Sequence, residues 1–230
     1  MTRPDGRAAN QLRPVSFRVD VQPSPAASVE VTYGGTTVLV AVSVQEGKPR
    51  WKDSGGWLTA EYAMLPGATN DRAHRERKGP GGRSKEIERL IGRSLRACVD
   101  LDAMPEATLT VDCDVLIADG GTRTAAITGG WVAVARALRG MGAEGVMTQH
   151  LAAVSVGVVD GACVLDLPYV EDSVADVDMN VVATPDGRII EVQGTAEGAP
   201  FTRAQHDQML DLALAGIVDL SVLQTAAVNA

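Results

Sequence analysis

Cysteine, histidine and aromatic side chains are all scarce in this chain of 230 residues, and each shortage removes a class of chemistry. The three cysteines, Cys98, Cys113 and Cys163, are an odd number without Cys-x-x-Cys spacing. They are expected to be reduced core thiols in a cytoplasmic protein rather than a disulfide framework or a thiolate zinc site. His74, His150 and His206 are too far apart in sequence to show metal-ligand spacing. Aromatic residues at 3% disfavour a protein that grips nucleic acid mainly by base stacking. Gly-x-Ser-x-Gly, His-Glu-x-x-His, the Walker A lysine and the GxGxxG fingerprint are all missing, which disfavours serine hydrolases, zincins and the common nucleotide-binding loops. No run approaches the roughly 18 apolar residues that cross a bilayer. The first residues lack the apolar stretch of a signal peptide, so no membrane partner is expected.

What is present suits a folded domain: 45% apolar and 22% charged residues, enough to bury a substantial core. The net charge of −8 argues at first against a polyanionic substrate. The charge is segregated, however. Between Arg72 and Arg96 nine basic residues face three acidic ones, and Arg3, Arg7, Arg13 and Arg18 add to the basic side. From Met141 onward only Arg188 and Arg203 oppose thirteen acids. The first half is therefore dressed for an anion and the second for a cation or for solvent. Residues 70–82 hold glycines, a proline and four Lys or Arg side chains with almost nothing apolar, the pattern of an exposed cationic loop.

Alternating or β-branched runs predict strands at 15–19, 28–33, 37–44 and 57–64, taken together as an antiparallel sheet of hairpins. Ser84 is expected to cap a helix whose apolar positions run from Ile87 to Leu101 and whose opposite face carries Arg89, Arg93 and Arg96. A strand at 107–118 leads through Asp119-Gly120-Gly121-Thr122-Arg123-Thr124 into a helix over 125–141. Hairpins at 151–167 and 178–193 follow, and two helices, 202–214 and 217–228, close the chain. The order predicts an α+β fold of two pseudo-repeated halves with mostly antiparallel or mixed sheets, rather than a doubly wound parallel sheet.

Two constellations carry chemistry. Gly120-Gly121-Thr122-Arg123-Thr124 stands between a strand and a helix start, where free amides and the helix dipole favour an anion such as phosphate. The same segment also suits a tight strand-to-helix turn that uses glycine for its dihedrals. Glu171, Asp172, Asp176 and Asp178 form an acidic loop in which Asp172 and Asp178, six apart around a bend, can face one hard divalent cation. Asp112 and Asp114, on one strand face, compete for that role. An anion site, a cationic loop and a carboxylate pair suggest phosphoryl transfer on a polyanion, without choosing among nuclease, polymerase and kinase.

Longer motifs narrow the choice. Residues 7–14 (RAANQLRP), 58–66 (LTAEYAMLP), 88–96 (ERLIGRSLR), 112–124 (DCDVLIADGGTRT), 169–172 (YVED), 178–180 (DMN) and 188–198 (RIIEVQGTAEG) resemble the bacterial ribonuclease PH family end to end. The resemblance implies a fold like the second domain of ribosomal protein S5 in a single domain over 1–230, a homohexameric ring built as a trimer of dimers, and a cytoplasmic location. It also implies phosphate-dependent 3′→5′ trimming of tRNA precursors and other RNA 3′ ends, with nucleotide addition in reverse. Carried over residue by residue, Arg83, Gly121, Thr122 and Arg123 hold inorganic phosphate, and Asp172 and Asp178 are catalytic and hold Mg²⁺. The half over 1–142 then carries the phosphate elements and the half over 143–230 the metal-binding acids. Arg72, Arg75 and Arg77 guide the RNA 3′ end or pack subunits, and Arg89 and Arg93 are expected to meet RNA. A catalytically silent RNA-binding ring subunit and a hydrolytic nuclease are the rival readings.

Overall fold

The structure is a computed structural model and describes residues 3–76 and 79–230, so Arg77 lies outside the described residues. Strands β1 (Val15–Val19), β2 (Ala27–Tyr33), β3 (Thr36–Glu46), β4 (Trp57–Met64) and β5 (Ala107–Ile117) form one sheet in the order β1-β2-β3-β5-β4. Alternate residues of β2, β3 and β5 are buried, as the pattern predicts. The expectation that 57–64 continues the hairpins is corrected. Strand β5 inserts between β3 and β4, and β4 runs parallel to it with helix α1 (Gly82–Arg96) as the crossover. A parallel pair needs a connection of a dozen residues or more, and the cationic loop plus α1 supply it.

The second sheet contains β6 (Ala152–Val159), β7 (Ala162–Leu165), β8 (Val177–Ala183) and β9 (Ile189–Ala196), ordered β7-β6-β8-β9 and wholly antiparallel. Between the sheets lies α2 (Thr122–Gly140), packed on β2 and β3 on one side and on β6 on the other. It is buried almost all round, which is why its small, apolar sequence shows no amphipathic stripe. The fold is thus α+β, each half a largely antiparallel sheet with a long helix following it. The single-turn α3 (Tyr169–Asp172) sits between β7 and β8.

The last element is one helix, α4 (Arg203–Val228), where the sequence pattern predicts two. Gly216, in the gap between the two predicted helices, is helical, and the Leu165 side chain packs against it; a Cβ there would meet Leu165 Cδ2 at 3.0 Å. A capping box opens α4: the Thr202 hydroxyl accepts from the Gln205 amide at 3.2 Å, and the Gln205 side chain accepts from the Thr202 amide at 2.9 Å. By length and composition α4 is apolar enough to cross a membrane. It nevertheless buries Met209, Ala213, Ile217 and Leu220 in the core shared with the second sheet.

The N-terminal arginines are also reassigned. Arg3 and Arg13 face inward, at 2% and 4% exposure, rather than outward to an anion. Arg3 forks onto Glu171, with Nε and Nη2 at 2.9 and 2.6 Å, and donates to the carbonyls of Leu165 and Asp166. Glu171, expected in the acidic loop, is fully buried by this pairing. A buried bidentate pair suits arginine's planar fork, and it ties down a terminus that otherwise frays. Arg3→Ala leaves the buried Glu171 without its partner, so unfolding titrations should show a loss of about 3–5 kcal/mol. A loss below about 1 kcal/mol would mean that the pair is not holding the arm.

Candidate active site

A cleft of about 410 Å³ opens between the two halves, lined by Arg83, Gly120, Gly121, Thr122, Arg123, Ser155, Asp172, Asp178, Asn180 and Glu197 among others. Its floor is the start of α2. Gly120 and Gly121 both take positive φ, 73° and 66°, and Gly121 serves as N-cap without any side-chain cap. A Cβ on Gly120 would run into the Leu167 carbonyl. The first amides of α2 are left without intrahelical partners and face an anion-sized space at the positive end of the dipole. The Thr122 hydroxyl lies 2.9 Å from the Tyr62 hydroxyl. When Tyr62 donates that bond, Thr122 keeps its own proton for an anion. Arg123 donates to Gln193 Oε1 at 3.0 Å, and the Gln193 amide donates to Glu86 at 2.6 Å, so a relay from α1 through β9 orients the guanidinium.

Arg83 enters from the first turn of α1 and makes no ion pair among the described residues. Ser84 is not the cap. Helix α1 begins at Gly82 with Gly81 as N-cap, and Glu76 from the preceding loop accepts from the Gly81 amide at 3.0 Å and from the Ser84 hydroxyl at 3.2 Å. The loop acid replaces the local cap, and this frees the α1 start to present Arg83. Arg72 and Arg75 are exposed on the same loop. Arg89 is exposed and unpaired among the described residues, whereas Arg93 forms a bidentate pair with Glu191 at 2.6 and 2.7 Å. Arg93 therefore joins α1 to β9, with its side chain still exposed.

Opposite the arginines, α3 supplies Asp172 and the start of β8 supplies Asp178. Burial pushes Asp172 up, against the pull of Arg123, Arg83 and Arg13. Asp178 is pushed up to about 6, first by burial and then by repulsion from Asp172, with Arg123 opposing. These two half-buried carboxylates are the residues of the cleft that could hold a cation. No group of three or more His, Cys, Asp or Glu able to hold an ion occurs among the described residues. A pair of hard oxygen donors still fits Mg²⁺, which completes its shell with water and substrate phosphate.

The competing acids lie elsewhere. Asp112 and Asp114 line a different groove beside Glu61, Glu76 and Glu88. Burial raises both, and Glu61 adds to the rise at Asp112. Asp176 is exposed and its backbone pairs with Val158 and Glu197; it does not line the cleft. Sequence reasoning missed Asn180, Ser155 and Glu197, which reach the cleft only through the register of the second sheet. The strand period of β8 offered a signal for Asn180, since it shares a face with Asp178 two residues away.

Comparison with known proteins identifies the family and the fold. Models of the 3′ exoribonuclease family match its domain 1 over residues 11–139 and its domain 2 over residues 151–216. Ribonuclease PH of Saccharopolyspora erythraea is 57% identical over an alignment of 240 residues that covers 100% of this chain and 96% of the relative. Ribonuclease PH of Mycolicibacterium smegmatis is also 57% identical, covering 99% of this chain and 92% of the relative. Among solved structures, rice Rrp46 superposes with a TM-score of 0.82 at 21% identity, covering 99% of this chain and 100% of that one. A chain of the Archaeoglobus fulgidus exosome, solved with RNA bound to the active site, gives 0.80 at 22% identity, covering 95% and 91%. Matched in both of its halves, the chain belongs to the 3′ exoribonuclease family of ribonuclease PH type.

Proposed function

We infer that the chain is a phosphorolytic 3′→5′ exoribonuclease that trims the 3′ ends of tRNA precursors and releases nucleoside diphosphates. The observation that carries this reading is the meeting of two arginine-bearing helix starts with a carboxylate pair in one cleft. Arg83, Arg123, the Thr122 hydroxyl and the first amides of α2 hold inorganic phosphate as the attacking group and align it with the terminal phosphodiester. Asp172 and Asp178 would hold Mg²⁺, which when bound would supply charge neutralisation to the phosphoryl group in transfer. One P–O bond forms from the attacking phosphate as the bond to the 3′ oxygen breaks, and the proton of hydrogen phosphate ends on that departing oxygen. Like replaces like, so the reaction runs in reverse and adds nucleotides from diphosphates.

Arg72, Arg75 and Arg89 approach the RNA backbone as point charges. A homohexameric ring is proposed from the ribonuclease PH family membership; a chain of the archaeal exosome core shares the fold, with a TM-score of 0.76 at 20% identity. The ring is also supported by an apolar face of Val218, Val222 and Leu223 left exposed on α4. Three free, buried thiols favour a cytoplasmic location. Incubation with a 3′-extended tRNA should give nucleoside diphosphates only when phosphate and Mg²⁺ are both present. Monophosphates independent of phosphate would establish a hydrolase instead, and RNA binding without product would leave a silent ring subunit.

A further inference from the structure

Arg13 touches both sides of the cleft from beneath. Its Nε and Nη2 donate to the two carboxylate oxygens of Asp166 at 3.0 and 2.7 Å. Its Nη1 donates to the Asp119 carbonyl at 2.5 Å, and Nη2 reaches the Gly120 carbonyl at 3.4 Å. One buried guanidinium thus grips the loop that leads into α2 together with the segment that leads into α3. Asp119 closes the circuit. Its Oδ2 lies 3.8 Å from Arg13, and its Oδ1 accepts from the Tyr169 amide at 3.1 Å, where α3 begins. Asp166 is completely buried and, though not glycine, sits at φ 54°. A left-handed aspartate persists where its surroundings over-determine it. Here Arg13 holds its carboxylate while Arg3 and Arg7 donate to its carbonyl at 2.9 and 3.0 Å.

We propose that Arg13 is a positioning residue that sets the separation between the phosphate-holding loop and the Asp172/Asp178 pair. The proposal rests on the function inferred above and adds a residue that touches neither ligand. An interaction that fixed only the phosphate loop would affect phosphate alone, and one that fixed only α3 would affect the metal alone. Arg13 and the Asp119 contact bind both segments, so loosening either contact shifts both ligands.

Two variants test this. Arg13→Lys keeps the charge and loses the planar fork. Asp119→Ala removes the 3.8 Å side-chain contact with Arg13 and the acceptor for the Tyr169 amide, the link between the two segments, while the backbone carbonyl that Arg13 grips remains. Affinities for inorganic phosphate and for Mg²⁺ are measured by calorimetry without RNA, alongside turnover, affinity for a 3′-extended tRNA and melting temperature. In each folded variant both affinities should weaken by about tenfold, the scale of outer-shell effects at such sites. RNA affinity should stay within about twofold, because the RNA-facing arginines are untouched. A shift in only one of the two affinities, or in neither, overturns the role of Arg13. If Arg13→Lys does not fold, Arg13→Gln, which keeps a planar donor but cannot span both segments, decides by the same criterion, with Asp119→Ala reporting on the link to Tyr169. A wild-type protein that releases no diphosphates removes the proposed function and this role with it, whereas wild-type activity with unaltered variants removes only the role of Arg13.

Discussion

Arg123→Ala is expected to raise the KM for phosphate or lower the turnover so that phosphorolytic efficiency falls by roughly 10²–10³-fold, the usual effect of deleting one donor from a pre-organised anion site. Affinity for RNA should change by no more than about threefold, since the cationic loop and Arg89 remain. The size of the effect follows from geometry. The Gln193 and Glu86 relay holds the Arg123 guanidinium before any substrate binds, so its charge is in place without reorganisation. Arg123 also stands among the charges that pull against the rise of Asp172 and Asp178. Its loss therefore removes a phosphate ligand and leaves the carboxylates less balanced. Equal losses of phosphate use and RNA binding would show that Arg123 grips the nucleic acid rather than the attacking anion.

Asp178→Asn should lower turnover by on the order of 10³-fold, because the charge stabilisation supplied by a held divalent ion amounts to several kcal/mol of the barrier. The same change should stabilise the metal-free protein. The carboxyl is raised from the ordinary 3.8 to about 6, so the folded state binds its proton more tightly than the unfolded chain. Stability contributed by this group therefore falls as pH rises from about 4 to about 6, and the ionised form is a cost at neutral pH. Asparagine removes that cost, with a gain of about 1–3 kcal/mol above pH 7 that disappears below about pH 4. Thermal unfolding in a chelator reads the gain. Millimolar Mg²⁺ should then raise the wild-type melting temperature and leave that of the variant unchanged. A variant that remains near-normal in turnover would place the ion elsewhere.

Legibility in the sequence divided along the range of the forces involved. Local pattern located β1 and β5, because the two-residue period is imposed by the backbone itself, whereas α2 begins at Thr122, three residues before the expected 125. The Gly120-Gly121 turn was also readable, since positive φ at successive residues calls for glycine. Local pattern misjudged Ser84 as a cap and divided the last helix in two. A cap supplied by Glu76 from the loop and a notch filled by Leu165 are contacts with distant residues, and no propensity encodes them. The pairing of Arg93 with Glu191, 98 positions away, was equally out of reach of local pattern.

The sequence by itself determined the alternation of strands and helices, the glycine-rich turn before α2 and the presence of arginines and carboxylates of the right kinds. Only the tertiary structure decided that β5 separates β3 from β4, that Arg83 and Arg123 face Asp172 and Asp178, and that Arg3 and Arg13 lie buried beneath them. The reason is that charge pairing in a low-dielectric interior depends on burial and on distance in space. Arg3 and Glu171 are 168 residues apart along the chain and 2.6 Å apart in the fold.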